Sequence, residues 1–228
     1  SPEAREYLLR SSGGDARSML NLLDYALIIS ADISLEVLMT LRPSFVGEGA
    51  KSSDTHYELI SAMIKSVRGS DADASIYYLA RLLAAGEDPA FLARRMVILA
   101  SEDIGNANPN ALNLAVSCMN AVSKIGMPEA RIILAQTIIY LANCPKSNSA
   151  YLAIDEALEA CKDASSQRIP KQIINHTDEN YLYPHDFGGW VKQQYLPDAL
   201  LGTQFYKPKL IAFEKTLAEW SAKIKGEF

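Results

Sequence analysis

Arg17 is the residue whose placement first suggests chemistry. It follows Gly14-Asp15-Ala16 and opens an apolar run. Aspartate caps helices well, so Asp15 predicts a helix start with Arg17 in its first turn. A cation there opposes the helix dipole at a cost of some tenths of a kcal/mol. The free amides of that turn attract anions. By spacing alone Arg17 reads either as a solvated surface arginine, which is the favoured reading, or as a side chain that meets an arriving anion.

The other chemistry-bearing residues are scattered. Lys65 and Arg68 share a helix face, and Arg94-Arg95 forms a second basic spot. Either pair could contact phosphates, but Asp71, Asp73, Glu87, Asp88, Glu102 and Asp103 outnumber them and favour ion pairing. Glu102-Asp103 follows a helix and reads as a helix-end surface or a structural hydrogen-bonding pair. His56, His176 and His185 are not at metal-ligand spacing and read as structural histidines. Cys118, Cys144 and Cys161 lie far apart, which excludes a zinc cluster. Each reads as a small core residue, and so sparse a count suits a reducing cytosol.

No GxxxxGK[ST] phosphate cradle, GxSxG elbow or HExxH helix occurs. The expectation is therefore no catalytic residue, no metal ligand and no nucleotide hydrolysis by this chain alone. An independent enzyme would have to use His185 and Asp186 beside Gly188-Gly189, with no geometry specified.

The elements that must position these groups are helical. Ser1-Pro2-Glu3 is a helix start, and a chain that opens inside an element reads as part of something longer. A short helix to Arg10, a second over 16–29 and a third over 33–41 form a small bundle across residues 1–43. Residues 44–54 carry Gly47, Gly49, Lys51 and Ser52 without an apolar face and read as a linker. From 55 to 228 longer helices of about 12–17 residues with short loops predict an antiparallel helical domain. Within it, 175–208 is rich in rings, glycine and proline without helical period. That stretch predicts an irregular, ordered tail with a short β-ribbon. The fold class is all-α. Hydrophobic residues make up 49% of 228, enough for a sizeable core. A net charge of −5 gives no global pull toward nucleic acid. No apolar run nears the ~20 residues that span a bilayer, so a soluble, cytoplasmic protein is expected.

Gly14-Asp15-Ala16-Arg17 before an apolar helix resembles the sensor-2 motif of clamp-loader-type AAA+ ATPases. Further pieces follow in order: His56-Tyr57, Lys65 to Asp71, Tyr78-Leu79-Ala80-Arg81, Gly86-Glu87-Asp88-Pro89, Arg94-Arg95, Ala100 to Gly105, Pro145-Lys146-Ser147-Asn148, Tyr195-Leu196-Pro197-Asp198 and Leu201-Gly202. The succession resembles the replication-associated recombination protein A family (RarA, also called MgsA) and its eukaryotic relative, the Werner-helicase-interacting ATPase. The resemblance implies that 1–43 is the lid of an ATPase core that this sequence does not contain. It implies that Arg17 is the sensor-2 arginine reaching the γ-phosphate, and that 55–228 associates as a homotetramer. It further implies a whole protein that uses ATP and magnesium. Such a protein acts as a DNA-dependent ATPase at stalled forks, near single-strand DNA-binding protein. The competing reading is a stand-alone helical scaffold that binds a protein partner through the rings of 181–206.

Overall fold

The computed structural model describes residues 1–11, 16–30, 32–41, 53–163, 168–174 and 181–226, without the side chains of residues 10, 16–18 and 53–55. The predicted Gly13-Gly14 break, the Asp15 cap, linker residues 44–52 and His176 lie outside the described residues.

Ten α-helices account for most of the described chain, and no strand occurs among its described residues. Three short ones come first: α1 (Pro2–Ser11), α2 (Ala16–Ile29) and α3 (Leu35–Leu41). Ser1 caps α1 through the Ala4 amide at 3.2 Å, and Ser34 caps α3 through Val37 at 3.2 Å. Ala4, Leu22, Ala26 and Leu38 form their common core.

The second core is larger. It is built by α4 (Ser53–Arg68), α5 (Ala72–Ala84), α6 (Pro89–Leu99), α7 (Asn110–Ile125) and α8 (Ala130–Asn143). Asp71 starts α5 by accepting from the Ala74 amide at 2.8 Å. Asp88 does the same for α6, with Pro89 at the first helical position. Leu59, Met63 and Val67 of α4 meet Leu82, Leu92, Met96, Leu134, Ile138 and Leu141 in the interior. Each such side chain contributes about 1.5–3 kcal/mol by leaving water. On α8 only one face is used: Ile132 and Ile139 remain exposed.

Three expectations need correction. Ile104 to Pro109 reads in the sequence as a turn, but α6 widens into a π-helix over Ala100–Ile104, followed by a 3₁₀ turn over Gly105–Ala107. Cys118 and Cys144 are buried as expected, but Cys161 is exposed, because it sits at the C-cap of α9 (Ser149–Ala160), past the face that packs. The tail holds no β-ribbon among its described residues. Instead the Gln193 carboxamide brackets the Leu182 backbone, donating to its carbonyl at 2.7 Å and accepting from its amide at 3.1 Å. One side chain thus supplies the pair of bonds a neighbouring strand would. The last helix, α10 (Ala212–Lys225), ends at Gly226 with left-handed φ 67°.

Candidate functional site

Three of the sequence motifs converge at one end of the large core. The turn after α4, the π-helix and the loop 144–149 meet there. Arg68 Nε donates to Asp103 Oδ1 at 2.5 Å, and its Nη2 reaches Asp103 Oδ2 at 3.2 Å and Glu102 Oε1 at 3.1 Å. The π-helix is what allows this: its wider turn buries Asp103 and Ile104 while leaving Glu102 at the rim. The Asp103 hydrogen bond raises the Arg68 pKa above its ordinary value, with burial opposing.

Gly105 then turns the chain with φ 48° and ψ −133°, and a Cβ there would lie 2.7 Å from the Ser147 carbonyl oxygen. Only glycine tolerates both the dihedral and the approach. Beside it, Lys146 Nζ donates to the carbonyls of Cys144 (2.6 Å) and Ala142 (2.9 Å) and to Ser70 Oγ (3.0 Å). A cation at the end of α8 meets the negative pole of that helix. Burial lowers the Lys146 pKa, and the Asp103 carboxylate partly opposes that.

A second polar node lies on the other side of this loop. Glu214, in the first turn of α10, is fully buried. Its Oε1 accepts from the Ser149 hydroxyl and, at 3.0 Å, from the Tyr206 hydroxyl. Burial pushes the carboxyl pKa up, but the hydroxyls of Ser147, Ser149 and Tyr206 outweigh it and hold the group below its usual value. Burial and the Glu214 bond push the Tyr206 phenol up. Two outer contacts reinforce the docking: Lys207 with Glu156 at 2.9 Å and Lys209 with Asn148 at 2.6 Å.

A shallow cavity of about 440 Å³ opens near the end of α8, lined by Asn108, Gln136, Tyr140, Asn143 and Cys144 among others. Asn108 Nδ2 bonds the Tyr140 hydroxyl at 2.9 Å and Cys144 Sγ at 3.3 Å. Its lining contains neither a carboxylate nor a histidine. Burial pushes the Cys144 thiol pKa up, away from the thiolate a nucleophile needs.

The predicted residues fall as follows. Arg17 occupies the second position of α2, the first-turn placement expected; its side chain is outside the described residues. One member of each basic spot forms an ion pair, Arg68 as above and Arg94 with Asp88 at 3.5 Å, while Arg95 Nε is buried without a hydrogen-bond partner among the described residues. His56 Nδ1 pairs with Glu87 at 3.0 Å. His185 lies 5.0 Å from the Tyr183 ring. No group of three histidines, cysteines or carboxylates able to hold a metal occurs among the described residues.

Sequence reading missed Glu214, Tyr206 and Ser149. The apolar row Leu210, Phe213, Leu217, Trp220 and Ile224 is the visible pattern in the sequence, yet the structure turns all but the partly buried Leu217 outward and the acid inward. A second outward row, Tyr151, Ile154 and Leu158, runs along α9.

With this geometry established, comparison with known proteins is informative. Residues 69–225 match the family described as MgsA AAA+ ATPase C terminal, and residues 1–68 match the family described as AAA C-terminal domain. The two spans meet in the turn after α4, although α4 itself packs in the large core. The chain is similar to the replication-associated recombination protein A of Bacillus subtilis, 40% identical over 95% of this chain and 56% of the relative. It is similar to the protein of the same name from Escherichia coli, 33% identical over 95% of this chain and 53% of that one. An uncharacterised AAA-domain-containing protein of Mycobacterium tuberculosis is 41% identical over 95% of the chain and 51% of its own length. The chain therefore spans about half the length of these relatives.

Proposed function

The chain belongs to the MgsA-type AAA+ ATPase family, of which it is the C-terminal part, and on that footing we propose that it is the oligomerising and regulatory part of a DNA-dependent ATPase acting in replication, recombination and repair at stalled forks. Residues 1–43 are the lid of the ATPase core, 44–54 the linker, and 55–228 the assembly domain. Arg17 serves as the sensor-2 arginine, contacting the γ-phosphate of ATP held with magnesium elsewhere in the whole protein. The 228 residues alone hydrolyse nothing. The whole protein works in the cytoplasm as a homotetramer, with DNA and single-strand DNA-binding protein as partners. Consistent with a soluble role, no described helix is long and apolar enough to cross a membrane.

The observation that carries the assembly reading is the outward apolar rows. Tyr151, Ile154 and Leu158 on α9 and Phe213, Trp220 and Ile224 on α10 stand between 39% and 59% exposed, at helix-packing spacing. Exposed apolar rows of this kind fit association sites. Light scattering coupled to size exclusion tests it: the expected mass is four chains, and a monomer at tens of micromolar concentration contradicts the reading. A second reading, a scaffold for a different protein, draws on the ordered rings Tyr183, Phe187 and Tyr195, each about half exposed. A persistent monomer that captures a partner through those rings would favour it.

A further inference from the structure

Every buried hydrophobic residue among those described precedes position 145; after it the buried residues are Ser147, Ser149 and Glu214, all polar. The C-terminal third is therefore fastened to the body differently from the way the body holds itself together. α10 shows this most plainly. Its one fully buried residue is Glu214; Phe213, Trp220 and Ile224 face out with Leu217 partly buried; and its main packing partner is the 3₁₀ turn 105–107. The Lys207–Glu156 pair beside it is half exposed on both sides and adds little.

We infer that Glu214 is a latch: residues 203–226 release from the surface formed by Gly105, Ser147 and Ser149 as a unit, while α4 to α8 stay folded. The carboxylate has no ion-pair partner among the described residues, and its charge is held by hydroxyls together with the Lys209 backbone amide. Such an anchor is all-or-none. A buried charge that loses its donors must either leave for water or be protonated, whereas a hydrophobic contact weakens gradually. Once undocked, a 14-residue helix is only marginally stable in water, so the amides of α10 lose protection together with the contact. Phe213 packs edge-on to Trp220 at 5.8 Å within the same helix, so that contact does not tie α10 to the body. The latch uses the inward face of α10, and the assembly reading its outward row.

Hydrogen exchange read by mass spectrometry on the whole 228-residue chain tests it. In Glu214→Ala, amides of α10 (212–225) are expected to exchange about tenfold faster or more, with 53–143 unchanged. Tyr206→Phe, which removes one hydroxyl and keeps the ring, is expected to shift the same amides in the same direction by less. Unchanged α10 exchange in either variant overturns the latch. So does loss of protection in α10 and in 53–143 together, which would make the node part of one cooperative core.

Discussion

Arg68 and Asp103, thirty-five residues apart, meet through two hydrogen bonds at 2.5 and 3.2 Å, joining the end of α4 to the π-helix that extends α6. Asp103 is 9% exposed and Arg68 46%, so the pair is asymmetric. Removing the arginine strands a buried carboxylate, while removing the acid frees an arginine already near water.

Arg68→Ala is therefore expected to destabilise the large domain by about 2 kcal/mol, below the usual figure for a fully buried pair because half the arginine is solvated. That corresponds to a melting temperature lower by roughly 4–8 °C. Arg68→Lys should recover only part, since an ammonium cannot bond both oxygens in parallel. Thermal unfolding followed by circular dichroism measures both, and equal melting temperatures for Lys and wild type would contradict the two-bond account.

Two glycines separate strain from crowding. Gly105 and Gly126 both have positive φ, 48° and 75°, but only Gly105 faces a backbone atom at 2.7 Å where a Cβ would go. Gly126→Ala is expected to cost about 1–3 kcal/mol from the dihedral alone, since φ 75° with ψ −178° is a region essentially restricted to glycine. Gly105→Ala adds the collision with the Ser147 carbonyl and should cost about 2–4 kcal/mol. Denaturant titration of the two variants gives the comparison, and equal costs would mean that the Ser147 loop yields.

The thiols should react in two classes. Cys161 is exposed, while Cys118 and Cys144 are buried with thiol pKa values pushed up by burial. One fast equivalent with an aromatic disulfide reagent is expected at pH 8, and two more only on unfolding. Three fast equivalents would show that the body opens readily.

Acid should act on the latch late. The folded pKa of Glu214 lies below its ordinary 4.5, so its contribution to docking is present above the unfolded value and is lost as pH falls through the folded one. Protection of α10 is expected to hold, relative to 53–143, from neutral pH to the ordinary carboxylate range, and to fall only beneath it. In Glu214→Gln that acid step should vanish. A loss of protection between pH 7 and 5 would assign the docking to another group.

In the whole protein, Arg17→Ala is expected to slow ATP turnover by about tenfold or more and leave this C-terminal part folded and assembled. Its basis is the first-turn position in α2 together with the motif around it. Steady-state ATPase rates with light scattering on the same preparations decide it, and wild-type kinetics would sink the assignment.

Much of the architecture was legible because it is written locally. The bounds of α2, the Asp71 and Asp88 caps and the breaks at Gly86 and Gly126 follow from residue chemistry within one turn. The Arg68 pairing was legible as a choice between phosphate and carboxylate, settled by the excess of acids. What escaped was written at a distance. Glu214 looked like one acid on the polar side of an amphipathic helix, because nothing within a turn of it announces Ser149, sixty-five residues earlier. The π-helix escaped because an extra residue in one turn leaves the apolar pattern nearly unchanged. The Gln193 bracket escaped because a carboxamide that substitutes for a strand has no periodicity to read.

The large core has one more consequence. All of its buried members lie between Leu59 and Cys144, in an unbroken stretch of sequence. During synthesis the oily interior is complete before α9, the ringed tail or α10 leaves the ribosome, so the body can close on nearby contacts while the rest is still being translated. The last helix then arrives at a finished surface, and its placement is a docking event rather than a step in collapse.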